Sequence, residues 1–194
     1  LNRHTLEIET FNADACKFGY RESVFKHESK DQYIITSVCF KLTQTPVFHV
    51  DYGAIQDVLK EKGVEKLSIQ AVSEAVIAIR KSKLPDPKEL GNAGSFFKNP
   101  TIPVHQFEQL KSGFPSIPGY PSPEGVKVPA GWLIEQCGWK GFRKDDYGVH
   151  EKQALVLVNY GNGTGEEIKN LSDEVRSSVK VKFGIELSPE VNFI

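Results

Sequence analysis

Between residues 84 and 94 the chain reads LPDPKELGNAG, and a stretch so punctuated interrupts any helix or strand that tries to run through it. Pro85 and Pro87 lack the amide donor that a helix interior or a central strand needs, and Gly91 and Gly94 leave the backbone free to turn. This block divides the sequence into residues 1–83, residues 84–184 and a closing segment, 185–194.

Upstream of the block, residues 5–10 alternate polar and apolar side chains and residues 33–42 are rich in β-branched and aromatic ones, so both are expected as strands. Residues 46–50 are a weaker strand candidate, and residues 52–61 read as a short helix before Gly63. Ser68 then caps a stronger helix in which Ile69, Val72, Val76 and Ile79 recur at helical spacing, ending in Arg80-Lys81-Ser82-Lys83. Downstream, a helix over 104–112 precedes a Pro- and Gly-rich stretch, 113–125, expected as a surface loop with Tyr120 in its middle. A short helix over 130–137 follows, and the apolar run around 154–160 reads as a buried strand. Thr164 and Glu167 have the spacing of a capping box for a helix that carries Ile168, Leu171, Val175 and Val179 on one face, and Gly184 stops it. Residues 185–187 are expected to start a last strand. Separate strands and helices of this kind predict an α+β fold.

Composition narrows what such a fold can do. With 194 residues, 39% of them hydrophobic, the chain can bury a sizeable core. The 24 Lys and Arg nearly balance the 25 Asp and Glu, so bulk charge gives no reason to expect nucleic acid or an anionic membrane as partner. Cys16, Cys39 and Cys137 show no CxxC spacing, and the last two sit among apolar neighbours; buried free thiols are expected. The longest apolar runs, 75–79 and 154–158, are too short to cross a bilayer, and a cytoplasmic location is expected. The sequence contains no Met, from which Leu1 is expected not to be the natural start.

Three clusters are rich in chemistry-bearing residues. The first is KLPDPK (83–88) followed by GNAGSFFKNP (91–100), where glycines allow close backbone approach and a fixed loop can present the Ser95 hydroxyl and the Asn99 amide. The same residues are ordinary turn formers, so composition alone is equally met by an interdomain turn. Phe96-Phe97 after the serine does not fit a nucleophile elbow, which leaves serine hydrolase chemistry unsupported. The second is FGYRES (18–23), in which Arg21 beside Tyr20 suits a bidentate grip on a carboxylate, or a plain surface ion pair. The third is PEV (189–191): Glu190 is either a solvated turn charge or, if buried beside another carboxylate, an acid with a raised pKa. His4, His27, His49, His105 and His150 lack metal-ligand spacing, and no metal is expected.

In this order FGYRES, KLPDPK, GNAGSFFKNP, AGWLIEQC (130–137) and PEV resemble the UDP-N-acetylenolpyruvoylglucosamine reductase family over nearly the whole chain. The resemblance implies an FAD- and NADPH-dependent oxidoreductase acting on a CH–CH bond. NADPH would reduce FAD, and hydride would then pass to the enolpyruvyl group of UDP-N-acetylenolpyruvoylglucosamine, giving UDP-N-acetylmuramate for peptidoglycan synthesis.

It further implies Ser95 as proton donor, with Arg21 and Glu190 at the substrate carboxylate. Tyr52, Lys83, Asn99, Tyr120 and Gln153 would contact the nucleotide sugar, and Tyr20, Ile35 and Arg80 would form the remaining wall of the flavin site. Residues 1–83 then read as the later part of a flavin-binding lobe, 84–184 as a substrate-binding lobe and 185–194 as a strand returning to the flavin lobe, in a monomer. Nothing in the sequence matches the family's glycine-rich flavin-binding half, so FAD is not expected to stay bound to this chain alone. Asn192 stands where relatives commonly carry Arg, which puts a flavin contact there in doubt. Two other readings fit part of the pattern: a non-catalytic nucleotide-sugar-binding module, and another flavoenzyme that oxidises a sugar or alcohol.

Overall fold

The computed structural model describes residues 1–51 and 54–193, which divide into two compact units, Leu1–Val47 and Phe48–Ile194. In the first, Asn12 caps a single turn, α1 (Ala13–Cys16), by accepting from the Ala15 N–H, and a 3-10 turn follows at Val24–Lys26. Phe11, Phe25 and Tyr33 meet edge to face with centroids 5.1–6.0 Å apart, and the Tyr33 hydroxyl donates to the Glu9 carboxylate at 2.8 Å. Cys16 and Val24 are buried in this unit.

The strands expected over residues 5–10, 33–42 and 46–50 are absent from the described residues. Alternation marks the faces of a strand, but a strand also needs a neighbour for its amides and carbonyls. Here, among the described residues, the segment from Tyr33 pairs only at its start, through an isolated Asn2–Tyr33 bridge flanked by the exchange of hydrogen bonds between Leu1 and Ile34 and by the Arg3 N–H donating to the Gln32 carbonyl at 2.8 Å. Ile34, Ile35, Val38, Phe40 and Leu42 are 53–85% exposed as a result. Cys39, expected to be buried, is exposed among them, whereas Cys16 is buried and Cys137 half-buried; all three thiols are free.

The second unit opens with α2 (Ile55–Glu61) and α3 (Ile69–Lys83), the latter capped as expected by the Ser68 hydroxyl accepting from the Ala71 N–H at 3.1 Å. The glycine-rich segment expected as a continuing break is instead β1 (Gly91–Ser95). It pairs antiparallel with β7 (Val156–Asn159), and its register shifts between Asn92 and Ser95. A Cβ at Gly91 would come within 3.2 Å of the Asn159 carbonyl oxygen, and Gly94, at φ +71°, sits inside the irregularity. Glycine here permits close strand approach and a bulge rather than ending structure.

β5 (Arg143–Lys144) and β6 (Tyr147–Val149) complete an antiparallel sheet in the order β1-β7-β6-β5. A smaller sheet has the order β2-β4-β3, with β2 at Thr101–Ile102, β3 at Tyr120–Ser122 and β4 at Gly125–Lys127. The stretch expected as a loop therefore holds a hairpin. Gly125 makes it close: at φ +138°, a Cβ there would lie 2.3 Å from the Ile102 carbonyl oxygen. Two antiparallel sheets and the flanking helices establish the α+β class, and no helix among the described residues is long and apolar enough to cross a membrane.

The core lies between the larger sheet and α4 (Val104–Gly113), α5 (Ala130–Gln136) and α6 (Gly165–Phe183). β7 is buried through Val156, Leu157 and Val158, and α6 contributes Leu171, Val175, Val179 and Phe183 at helical spacing. The expected capping box is present at its start: Thr164 accepts from the Glu167 N–H while the Glu167 carboxylate accepts from the Thr164 N–H. Gly184 ends the helix at φ +66°.

Residues 185–187, expected as a strand, form no ladder. Ile185 and Leu187 are buried and Glu186 exposed, so the chain alternates like a strand, but the Leu187 carbonyl is taken by Arg176 Nε at 3.0 Å. Pairing begins later, at the Phe97–Pro189 bridge, flanked by Lys98 N–H to the Ser188 carbonyl at 2.9 Å and Glu190 N–H to the Phe96 carbonyl at 2.8 Å.

Replacing Thr164 with Ala should cost about 1 kcal/mol in urea unfolding by removing the cap. The Glu167 carboxyl is held below its ordinary value, first by the Thr164 backbone N–H and then by the hydroxyl. A depressed folded-state value contributes stability above the unfolded value and loses it as pH falls through the folded one. The Thr164→Ala protein should accordingly lose less stability on acidification than the parent, read from urea midpoints across the acid range.

Candidate functional site

Ser95 ends β1 in an exposed position, and the two residues after it are anchors: Phe96 is 4% and Phe97 1% exposed. The Phe96 N–H donates to the Leu155 carbonyl at 2.7 Å, and its carbonyl accepts from Glu190. Ser95 and half-buried Glu190 are thus carried on adjoining backbones that are tied directly to each other.

Asn99 lies four residues beyond Ser95, and its Oδ1 accepts from the Ala130 N–H at 2.9 Å. Pro129, at the cap position of α5, offers no side-chain oxygen, so Asn99 supplies one from outside the helix. Gln153 approaches the same turn: its Oε1 would lie 3.2 Å from a Cβ at Gly131, and it accepts weakly from the Leu155 N–H at 3.4 Å. Tyr120 is exposed on β3 opposite Lys127, which is also paired with Thr101. Asn99, Gln153 and the start of α5 are therefore brought together, with Tyr120 on the neighbouring small sheet.

Lys83 and Arg80 lie on the last turn of α3 and line a cavity of about 570 Å³. Its other walls are the Pro85–Pro87 turn, Glu89, His150 and Lys152. His150 and Lys152 carry no expectation from the sequence, where histidines stand out only by metal-ligand spacing. The available signal is their position just before the buried β7 run, His150 three residues before Gln153 and Lys152 three before Leu155. The His150 pKa is lowered chiefly by burial.

Tyr20, Arg21 and Ile35 belong to the first unit. Arg21 has the left-handed backbone conformation, φ +61°, unusual for a residue with a side chain, and its carbonyl accepts from Lys26 Nζ at 2.8 Å. Tyr20 is 45% and Ile35 60% exposed, with Phe18 and Ile34 exposed nearby in sequence. Tyr52 lies outside the described residues.

The glycine-rich sequence GNGTG (161–165) opens α6 but does not form a free anion cradle. The Gly161 and Gly163 N–H groups donate to Asn159 Oδ1 at 2.9 and 3.1 Å, Asn162 N–H donates to Asp146 at 3.3 Å, and Thr164 N–H is held by Glu167. Among the described residues no group of three or more His, Cys, Asp or Glu could hold a metal ion.

Residues 86–194 match the family model described as UDP-N-acetylenolpyruvoylglucosamine reductase, C-terminal domain. A protein named UDP-N-acetylenolpyruvoylglucosamine reductase from Flavobacterium johnsoniae is 55% identical over 196 residues, covering 100% of this chain and 58% of its own length. The protein of the same name from Chromobacterium violaceum is 51% identical over 185 residues, 95% of this chain and 54% of its own, and that from Pseudomonas aeruginosa is 46% identical over 193 residues, 99% and 57%. The chain thus spans a little more than half the length of these relatives.

Because Asn99 closes the start of α5, Asn99→Ala should cost about 1–2 kcal/mol of stability, leaving the Ala130 N–H without its acceptor. Ser95→Ala, at an exposed position, should change stability by less than about 0.5 kcal/mol. Urea unfolding of the two variants side by side checks the difference.

Proposed function

Because the chain belongs to the UDP-N-acetylenolpyruvoylglucosamine reductase family, we propose that it forms the substrate-handling part of a flavoenzyme that reduces the enolpyruvyl group of a UDP-sugar. In this reading residues 1–83 complete a flavin-binding lobe, residues 84–184 form a substrate-binding lobe and residues 185–194 return to the first. The observation that carries it is the tie between Phe96 and Glu190, which holds the proposed proton donor Ser95 and the proposed Glu190 carboxylate on adjoining backbones.

Hydride added beside a carboxylate leaves negative charge on the neighbouring carbon and on the carboxylate, and that charge must be stabilised and then protonated. FAD, when bound and reduced by NADPH, supplies the hydride. This chain's residues do the rest. Arg21 grips the substrate carboxylate through two parallel hydrogen bonds, Glu190 flanks the developing enolate, and the Ser95 hydroxyl delivers the proton to carbon.

Buried Phe96 and Phe97 fix Ser95 by anchoring the backbone that follows it, so its hydroxyl is positioned without being enclosed. Lys83, Asn99, Tyr120 and Gln153, with Tyr52, hold the nucleotide sugar, and Tyr20, Ile35 and Arg80 contribute to the flavin wall. The grouping of Asn99 and Gln153 at the first turn of α5 supports a shared ligand contact there.

Ser95→Ala in the complete protein should leave the rate of flavin reduction by NADPH within about twofold, since that half-reaction puts no proton on the enolpyruvyl carbon. Flavin reoxidation by the enolpyruvyl substrate should slow by about 10²–10⁴-fold, the contribution of a positioned acid. Stopped-flow absorbance follows both, and reoxidation at the parent rate would make Ser95 a turn residue. Arg21→Lys should lower kcat more than it raises KM, because a point charge does not reproduce the bidentate grip; steady-state kinetics read the split.

A further inference from the structure

The cavity at the end of α3 carries Arg80, Lys81, Lys83 and Lys152 against two carboxylates, Asp86 and Glu89. Asp86 is partly committed, since its Oδ1 accepts from the Lys88 N–H at 2.9 Å. The balance favours an anionic guest, and about 570 Å³ lies within the usual range for a small-molecule site. The backbone does not help, because the C-terminal end of a helix carries partial negative charge. Anion affinity here must come from side-chain donors.

One such donor is set by the fold. The Lys152 N–H donates to His150 Nδ1 at 3.3 Å, so that nitrogen is the acceptor and the ring proton resides on Nε2. The His150 N–H is itself tied to the Val156 carbonyl at 2.9 Å, which fixes the residue to the start of β7. Burial opposes protonation of the ring, as does neighbouring Lys152, while Glu151 favours it; Arg80, Lys81 and Lys83 add positive charge across the cavity. A neutral imidazole suits this position, because it offers an N–H to a phosphate oxygen without adding another positive charge to a crowded set.

We infer that His150 is a further binding residue for the nucleotide sugar, with its Nε2–H donating to the diphosphate of a nucleoside diphosphate group held beside Lys83. The inference rests on the proposed function and deepens it. His150 and Lys83 line the same cavity, so the two side chains can share one ligand.

Two substitutions separate the ring nitrogens. His150→Asn retains an acceptor at the position of Nδ1, preserving the turn to Lys152, and loses the distal donor; His150→Gln extends an amide N–H to the position of Nε2. With UDP as probe and calorimetry on the complete protein, the Asn variant should bind about tenfold more weakly than the parent, the loss of one charge-assisted hydrogen bond. The Gln variant should bind within about threefold of the parent, and the Asn variant, which keeps the acceptor for the Lys152 N–H, should unfold at the parent temperature. UDP binding by the Asn variant at parental affinity, or a Gln variant as weak as the Asn variant, would overturn the role of the Nε2 donor while leaving the proposed function standing. A parent protein that does not bind UDP would overturn both readings.

Discussion

The second unit depends on one join: the chain leaving β1 is tied on one side to the segment before β7 and on the other to the C-terminal segment. Phe96 uses its N–H for the first tie and its carbonyl for the second, and its side chain and that of Phe97 are buried beneath. Two parts of the chain far apart in sequence are thereby held in one register by backbone groups that would be costly to bury unpaired. The exposed hydroxyl of Ser95 and the carboxyl-bearing Glu190 inherit their positions from this join rather than from each other.

A second economy is the use of polar side chains to close backbone ends. Asn99 closes α5 from outside, Thr164 and Glu167 close α6 reciprocally, and Asn159 with Asp146 gathers the amides of the loop before it. A glycine-rich loop at a helix start is often read as an anion site. Here the donors are already occupied, so the cationic cavity at the other end of a different helix, α3, is the stronger place for a phosphate.

Local signals were the legible part of the sequence. Ser68, Thr164 and Gly184 act through atoms within a few residues, and each marks a helix end in the structure. Strands depend on partners that local sequence does not identify. Residues 91–95 became a strand because β7 accepts their glycines at close range, and the stretch around Tyr120 became a hairpin because Gly125 fits under Ile102. Residues 33–42 have the β-branched and aromatic content of a strand and residues 185–187 alternate in burial, yet neither forms a ladder. At the site, motifs pointed to Ser95, Asn99 and Glu190 and the family resemblance to Gln153, whereas His150 and Lys152 came into view only when α3 and the approach to β7 were seen to share a cavity.

The stretch 33–42 that failed to make a strand still has a physical effect. Val38, Phe40 and Leu42, each more than 60% exposed, place a row of oily side chains beside backbone groups able to extend another chain's sheet. In colloidal terms this is the adhesive part of the molecule, and Lys41 is the only formal charge between Asp31 and Asp51 apart from any charge on His49. So sparsely charged a stretch offers little electrostatic repulsion against self-association, so crowding would act on this region before it acts on the well-buried core of the second unit.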